Sequence, residues 1–211
     1  DWIALSFVRN PSDINEIKDL INKEGYSVPV VAKIEKFEAI DQIDSLLPLC
    51  DGVMVARGDL GVEMPAEEVP LLQKELIKKA NNLGIPIITA TQMLDSMASS
   101  PRPTRAEVSD VANAILDGTD AVMLSNETAV GDYPIEAVKT MATIARRIER
   151  DYPQKSIDSH LPSTIPNAIS SAVSSIARQL DAAAIIPLTK SGATAHNVSK
   201  FRPPTPIPVS Y

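Results

Sequence analysis

Val53-Met54-Val55-Ala56 runs without a break into Arg57-Gly58-Asp59-Leu60-Gly61. A short apolar run that ends in a polar, glycine-bearing turn reads as a buried strand feeding a helix. Working outward, the same unit recurs: apolar runs stand at 3–7, 28–32, 85–90 and 121–124, with amphipathic helical stretches between them. Strands alternating with helices call for a parallel sheet of βα units. Their ends are spaced by about 24 to 34 residues, the repeat of a large barrel in which roughly 250 residues are shared among eight units. Five runs give about five of the eight strands.

The intervening helices carry their own start and stop signals. Ser12 and Asp13 are placed to cap the first, and the stretch 65–80 sets Val69, Leu72, Leu76 and Ala80 on one face before stopping at Gly84. Thr104 with Glu107 three residues on is a capping-box pattern ahead of a stripe of Val108, Val111, Ala112, Ile115 and Leu116. Residues 133–150 read as a further helix around Pro134. From 151 to 166 periodicity stops among prolines and serines, the mark of a linker. Beyond it Ile169, Val173, Ile176, Ala177 and Leu180 form a helical face, 182–188 reads as a buried strand, and a short helix precedes the proline-rich 203–208. Residues 207–211 begin to look like another strand. The expected organisation is therefore 1–150 a partial TIM (β/α)8 barrel, 151–166 a linker, and 167–211 the beginning of a second α/β domain.

Composition narrows the function. The chain has 211 residues, 44% hydrophobic and 22% charged, the balance of a globular protein, in a length oddly sized for a whole one. A fragment is expected. Twenty Lys and Arg against 27 Asp and Glu leave a net charge of −7, which repels phosphate backbones and anionic lipid, so nucleic-acid and membrane-surface partners are not expected. No apolar run is long enough to span a bilayer. The single Cys50 cannot form an internal disulfide and no basic leader with an apolar core opens the chain, so the expected location is cytoplasmic.

The polar residues just past each apolar run are more telling. Ser6-Phe7-Val8-Arg9, Lys33-Ile34-Glu35, Arg57-Gly58-Asp59, Thr91-Gln92 and Ser125-Asn126-Glu127 all stand at the carboxyl ends of the expected strands. In a parallel barrel those ends form one rim, where barrel enzymes place their chemistry. Lys33 and Glu35, two apart on an extended chain, project to the same side. An isolated Lys-x-Glu reads equally as a structural salt bridge, and Gly58 equally as a plain turn residue. Five polar clusters at five consecutive strand ends favour a site. Glu35 and Asp59, carboxylates from neighbouring strands, suit a hard cation such as Mg2+ or Mn2+. The two histidines, His160 and His196, lie outside the barrel part, which disfavours zinc and a Ser-His-Asp triad there. Backbone N–H groups at Gly58 and Asp59 open a short helix, a place for a carboxylate or phosphate.

With these residues in order along the chain, the sequence resembles the pyruvate kinase family. The resemblance is carried by Lys33-Ile34-Glu35, by 54–61, by Ala90-Thr91-Gln92-Met93-Leu94, by 101–107, by 110–114 and by 123–129, and it covers essentially the whole chain. One departure is Asn126, where many relatives carry glycine. The resemblance implies transfer of the phosphoryl group of phosphoenolpyruvate to ADP and protonation of the enolate, giving pyruvate and ATP, the last step of glycolysis. It implies that Lys33 neutralises the moving phosphoryl group and that Glu35 and Asp59 hold Mg2+ or Mn2+. It likewise implies that Gly58, Asp59 and Thr91 hold the substrate carboxylate and that Ser125 stands near the proton-delivery route. Arg57, Gln92 and Arg105 lie in the matching motifs, where the resemblance implies support of the site and of subunit contacts rather than direct chemistry. Thr189, Lys190, Ser191, Gly192, Ala193 and Thr194, read as a strand-to-helix turn, match a loop that holds a sugar-phosphate or nucleotide effector in relatives; an ordinary turn is the other reading.

The resemblance begins at the family's fourth barrel strand. Three strands, an inserted lid domain, the K+ ligands and most nucleotide contacts therefore fall outside the chain, which is expected to be inactive and aggregation-prone alone, its open sheet edges exposing unpaired backbone. A homotetramer is implied by the family only. Two other readings remain at this point: a metal-dependent 2-keto-acid aldolase on a related barrel, and a non-catalytic relative of the kinase.

Overall fold

Five strands, β1 (Ile3–Leu5), β2 (Val30–Ile34), β3 (Gly52–Ala56), β4 (Ile87–Ala90) and β5 (Ala121–Met123), form one parallel sheet in the order β1-β2-β3-β4-β5. They belong to a computed structural model that describes residues 1–151 and 164–209. Helices alternate with them: α1 (Pro11–Lys23), the short α2 (Phe37–Asp41) and α3 (Ile43–Leu46), α4 (Arg57–Glu63), α5 (Val69–Leu83), α6 (Arg105–Asp117), α7 (Asn126–Ala129) and α8 (Pro134–Asp151). The partial-barrel architecture expected from the strand spacing is what forms.

Two strands start later than their apolar runs, and proline is the reason. Pro29 and Pro86 have no N–H to give the ladder, so β2 begins at Val30 rather than 28 and β4 at Ile87 rather than 85. Asp51 and Asp120 tie those starts down, accepting the Val30 N–H at 2.9 Å and the Ile87 N–H at 2.8 Å. β1 stops at Leu5 because Phe7, at φ +57, turns the chain out of the sheet.

The sheet's two faces are both apolar, as a parallel sheet requires. Val30, Ala32, Ile34, Val53, Val55 and Ile87 face one way and share a core with Ile14 and Ile21 of α1 and Leu72, Leu76, Ile77 and Ala80 of α5. Each fully buried Leu or Ile there contributes about 1.5–3 kcal/mol. Val31, Met54 and Ala90 face the other way, with Ile88 and Met123. Met93, Leu94 and Met97, from the segment after β4, pack on Val111, Ala114 and Ile115 of α6 and Ala137, Met141 and Ile144 of α8.

Helix ends follow their caps. Thr104 and Glu107 form the expected capping box on α6, which Gly118 ends in the left-handed region at φ +101. On α1 the cap is Asn10, not Ser12 or Asp13. Pro11 takes the first helical position, so Asn10 accepts the Ser12 N–H while Asp13 reaches back to the Asn10 N–H. α5 begins at Val69 because residues 65–68 close a turn, Glu68 N–H to the Pro65 carbonyl at 3.0 Å.

The chain divides into two compact units, of which the first holds all five strands. Residues 164–209 belong to the second and supply α9 (Ile165–Gln179) and α10 (Ala193–Ser199). The expected linker falls largely on 152–163, outside the described residues. Its margins are helical: Asp151 ends α8, paired with Arg147 at 2.5 Å, and Thr164 caps α9 by accepting the Asn167 N–H. The strand expected at 182–188 does not form. Ile185 donates one backbone bond to Pro206 at 2.9 Å, among prolines that cannot extend a ladder, and Leu188 is 93% exposed. Residues 207–209 are not in a strand either, and 210–211 lie outside the described residues. On α9 the buried positions are Ser170, Ser174 and Ala177, while Ile169, Ile176 and Leu180 of the expected face are exposed. Among the described residues no helix is long and apolar enough to cross a membrane.

Candidate functional site

Register brings the strand ends together. Leu5 pairs with Ala32, Ile34 with Val55, Ala56 with Ala90, and Ala90 with Met123. The segments after all five strands therefore leave the sheet at one edge, the rim expected from the sequence.

Lys33 lies inside β2 and Glu35 just past its end, on the face that Val31 occupies. Lys33 Nζ sits 2.5 Å from Glu35 Oε1 and donates to Ser6 Oγ at 2.9 Å. Glu35 Oε2 accepts the Phe7 N–H at 2.8 Å, an amide aimed inward by the left-handed backbone of Phe7. Glu35 is only 1% exposed, and burying a carboxylate this far from water is costly unless such partners take up its oxygens. Lys36 stands over the Phe7 ring, 5.8 Å from its centre, and pairs with Glu63 at 2.5 Å.

Asp59, by contrast, is exposed in the first turn of α4. Among the described residues no group of three or more His, Cys, Asp or Glu side chains converges on a metal position. Two carboxylates from adjacent strands are still a sufficient donor set for Mg2+ or Mn2+, which fill their remaining positions with water and substrate oxygens.

The Gly58 amide is not free, contrary to the expectation of an open anion site. It donates to Thr91 Oγ1 at 2.7 Å, and that hydroxyl in turn donates to the Ala90 carbonyl at 2.6 Å. Thr91 and Gln92 both hold positive φ, +69 and +53. For a β-branched residue this conformation costs of order 1–3 kcal/mol and persists only when its surroundings enforce it. Arg57 does so: Nη2 donates to the carbonyls of Thr91 at 2.8 Å and Gln92 at 3.4 Å, while Nη1 is held by Asp110 at 2.7 Å. Of the three residues expected to support the site, Arg57 is the one whose side chain grips the loop; Arg105 is exposed at the start of α6.

Ser125 caps α7 and donates its N–H to Glu127 Oε2 at 2.7 Å. Asn126 is the first residue of that helix, without a positive φ, so nothing in its conformation asks for glycine. Glu127, which the sequence places in the Ser125-Asn126-Glu127 cluster without a role of its own, turns inward beside Ser125. It is 1% exposed and its other oxygen accepts the Leu94 N–H at 3.0 Å. The only signal in the sequence is a glutamate two residues past a strand-end serine. In the second unit, Lys190, Ser191 and Thr194 are exposed around Gly192, at φ +80, which leads into the seven-residue α10. The loop opens a helix as expected, but no strand precedes it.

Comparison with known proteins adds the remaining step. Residues 1–138 match the family model described as "Pyruvate kinase, barrel domain", and residues 167–210 the one described as "Pyruvate kinase, alpha/beta domain". Pyruvate kinase 2 of Synechocystis sp. is 70% identical over 207 residues, 98% of this chain and 35% of its own length. The pyruvate kinase of Bacillus licheniformis is 57% identical over 98% of the chain and 36% of its own length, and that of Clostridium acetobutylicum 49% identical over 98% and 45%. The chain thus spans about a third to under half the length of these curated relatives. These matches leave no place for the aldolase reading. With two models matched in chain order and such identity along nearly every residue, the chain belongs to the pyruvate kinase family.

Proposed function

We propose that this chain works as the matching segment of a full-length pyruvate kinase, which transfers the phosphoryl group of phosphoenolpyruvate to ADP and protonates the resulting enolate to pyruvate. The observation that carries the reading is the Lys33–Glu35 pair at the sheet's carboxyl edge, with Asp59 and Thr91 arriving from the next two strands. Residues 1–150 form the catalytic part and 167–211 begin the regulatory domain.

Lys33 places a fixed positive charge where the phosphoryl group is in flight, the contribution that counts most in a reaction governed by positioning and electrostatics. Glu35 and Asp59 hold Mg2+ or Mn2+, which when bound supplies Lewis-acid stabilisation to phosphoryl and enolate oxygens. The substrate carboxylate takes over the Gly58 N–H from Thr91 Oγ1, and the Thr91 hydroxyl turns its proton from Ala90 toward it. The first-turn amide of Asp59 lies alongside. Ser125 stands near the route of the incoming proton. K+ and most of the nucleotide are held by residues outside this chain. Thr189 to Thr194 take the phosphate of a sugar-phosphate or nucleotide effector, and the whole enzyme is a cytoplasmic homotetramer.

The test is pyruvate formation from phosphoenolpyruvate and ADP by the full-length enzyme carrying this chain, with and without Mg2+. Metal-dependent pyruvate with matching ATP is expected. A folded, metal-loaded enzyme that makes none would identify a non-catalytic relative instead.

A further inference from the structure

We propose that Glu127 is a positioning residue, whose carboxylate clamps the loops after β4 and β5 to one another and so fixes Ser125 relative to Thr91. The inference rests on the proposed function, in which this rim is the reacting site.

The clamp is a single buried side chain serving two backbones. One oxygen takes the Leu94 N–H at 3.0 Å and the other the Ser125 N–H at 2.7 Å. Each carboxyl oxygen has one amide to itself and, at 1% exposure, water cannot replace either bond. Leu94 lies two residues past the left-handed pair Thr91 and Gln92. Arg57 holds the carbonyls of that turn from one side, and Glu127 holds its downstream amide from the other. A second staple joins the same loops. Asp132 N–H donates to the Ala98 carbonyl at 2.8 Å, and Gly131 lies so close that a Cβ there would stand 2.6 Å from the Glu127 carbonyl oxygen and 3.0 Å from Ala98 Cα. The two loops are thus one body with Glu127 in its seam. Glu107 makes the useful contrast. It also binds two backbone amides, of Ser96 and Thr104, but these join the loop after β4 to α6 and leave the loop after β5 alone.

Steady-state kinetics of the full-length enzyme carrying this chain test the assignment. In Glu127→Gln one end of the side chain becomes a donor facing an amide N–H, so one loop is released. A displacement of reacting groups on the ångström scale should lower kcat by about tenfold or more. The KM for phosphoenolpyruvate and the Mg2+ requirement should stay within about twofold, the signature of a contact realised in the transition state. Glu127→Asp keeps both oxygens on a stem too short to reach both amides, and its kcat should fall between. Glu107→Gln should lower the melting temperature and leave kcat alone. Unchanged kcat in Glu127→Gln overturns the proposal, as does a kcat loss that Glu107→Gln reproduces at equal loss of melting temperature. Should Glu127→Gln fail to accumulate, Glu127→Asp decides, and full kcat there overturns it. Normal turnover in Lys33→Met would remove the reacting site itself and the clamp's purpose with it. Full turnover in Glu127→Gln beside none in Lys33→Met refutes the clamp alone.

Discussion

A structural salt bridge and a reacting site make opposite demands on Lys33 and Glu35, and a double-variant cycle separates them. Lys33→Met leaves Glu35, 1% exposed, with the Phe7 N–H as its remaining partner. Stranding one member of a fully buried pair costs about 3–5 kcal/mol. Because a quarter of the Lys33 side chain is in solvent (25%), water enters the vacated space and the cost falls to about 2 kcal/mol. Glu35→Gln keeps one acceptor oxygen and turns the other end into a donor facing either Lys33 or the Phe7 N–H, at about 1–2 kcal/mol. In the double variant no charge is stranded, so its cost should fall short of the sum by about 1–2 kcal/mol. A domain of this size loses about 2–4 °C in melting temperature per kcal/mol, which thermal denaturation resolves. Turnover behaves differently. Losing an oriented charge at the transition state costs about 10²–10³ in rate, and restoring stability does nothing to return it. Pyruvate formation should remain at least about a hundredfold down in both single variants and in the double. A double variant that recovers turnover together with stability would refute the reasoning and leave the pair a salt bridge that merely lies at the rim.

Three more outcomes concern other residues. Asp59→Asn should leave the melting temperature unchanged, since the side chain is exposed, and raise the Mg2+ concentration for half-maximal activity by at least about tenfold, the loss typical even of indirect metal contacts; an unchanged Mg2+ dependence removes Asp59 from the metal site. Burial pushes the Glu107 carboxyl up, but hydrogen bonds from Ser96 and Thr104 outweigh it and hold the group below the usual glutamate range. A depressed carboxylate adds stability above its unfolded pKa and loses it as pH falls through the folded one, so Glu107→Gln should melt lower at neutral pH and converge with the parent below about pH 4; a constant gap across that range contradicts the assignment. Burial pushes the Cys50 thiol up to about 12, so an alkylating reagent at pH 8 should label it only after denaturant is added, and rapid labelling of the native protein would show the site to be open.

The sequence made the sheet legible because each strand is a local apolar run, and the capping box at Thr104 and Glu107 because both partners lie within one turn of helix. The rim was legible for the same reason, through Lys33, Glu35, Asp59 and Thr91 at strand ends. What stayed hidden depends on residues distant in the chain. Asp110 holding Arg57, and Arg57 holding the Thr91 turn, cannot be read from spacing. Neither can the occupation of the Gly58 amide by Thr91, nor the grip of Glu127 on Leu94. At 182–188 local pattern misled outright: the run is apolar enough for a strand, but a strand exists only where a neighbour completes its ladder, and Ile185 finds a single acceptor.

The strand order has a consequence for how such a chain acquires its structure. Val31 pairs with Gly52 and Val53 with Ile87, and every strand beside another in the sheet is beside it in sequence too. Each pairing therefore closes only one crossover loop, at a modest entropic cost that does not grow as the chain lengthens. On a ribosome, each strand of this segment can dock against the one before it as soon as its own helix has emerged. A nascent chain from which β3 and its helix have emerged would then already hold the register that sets Lys33 against Met54, before the strands that carry Thr91 and Ser125 have docked.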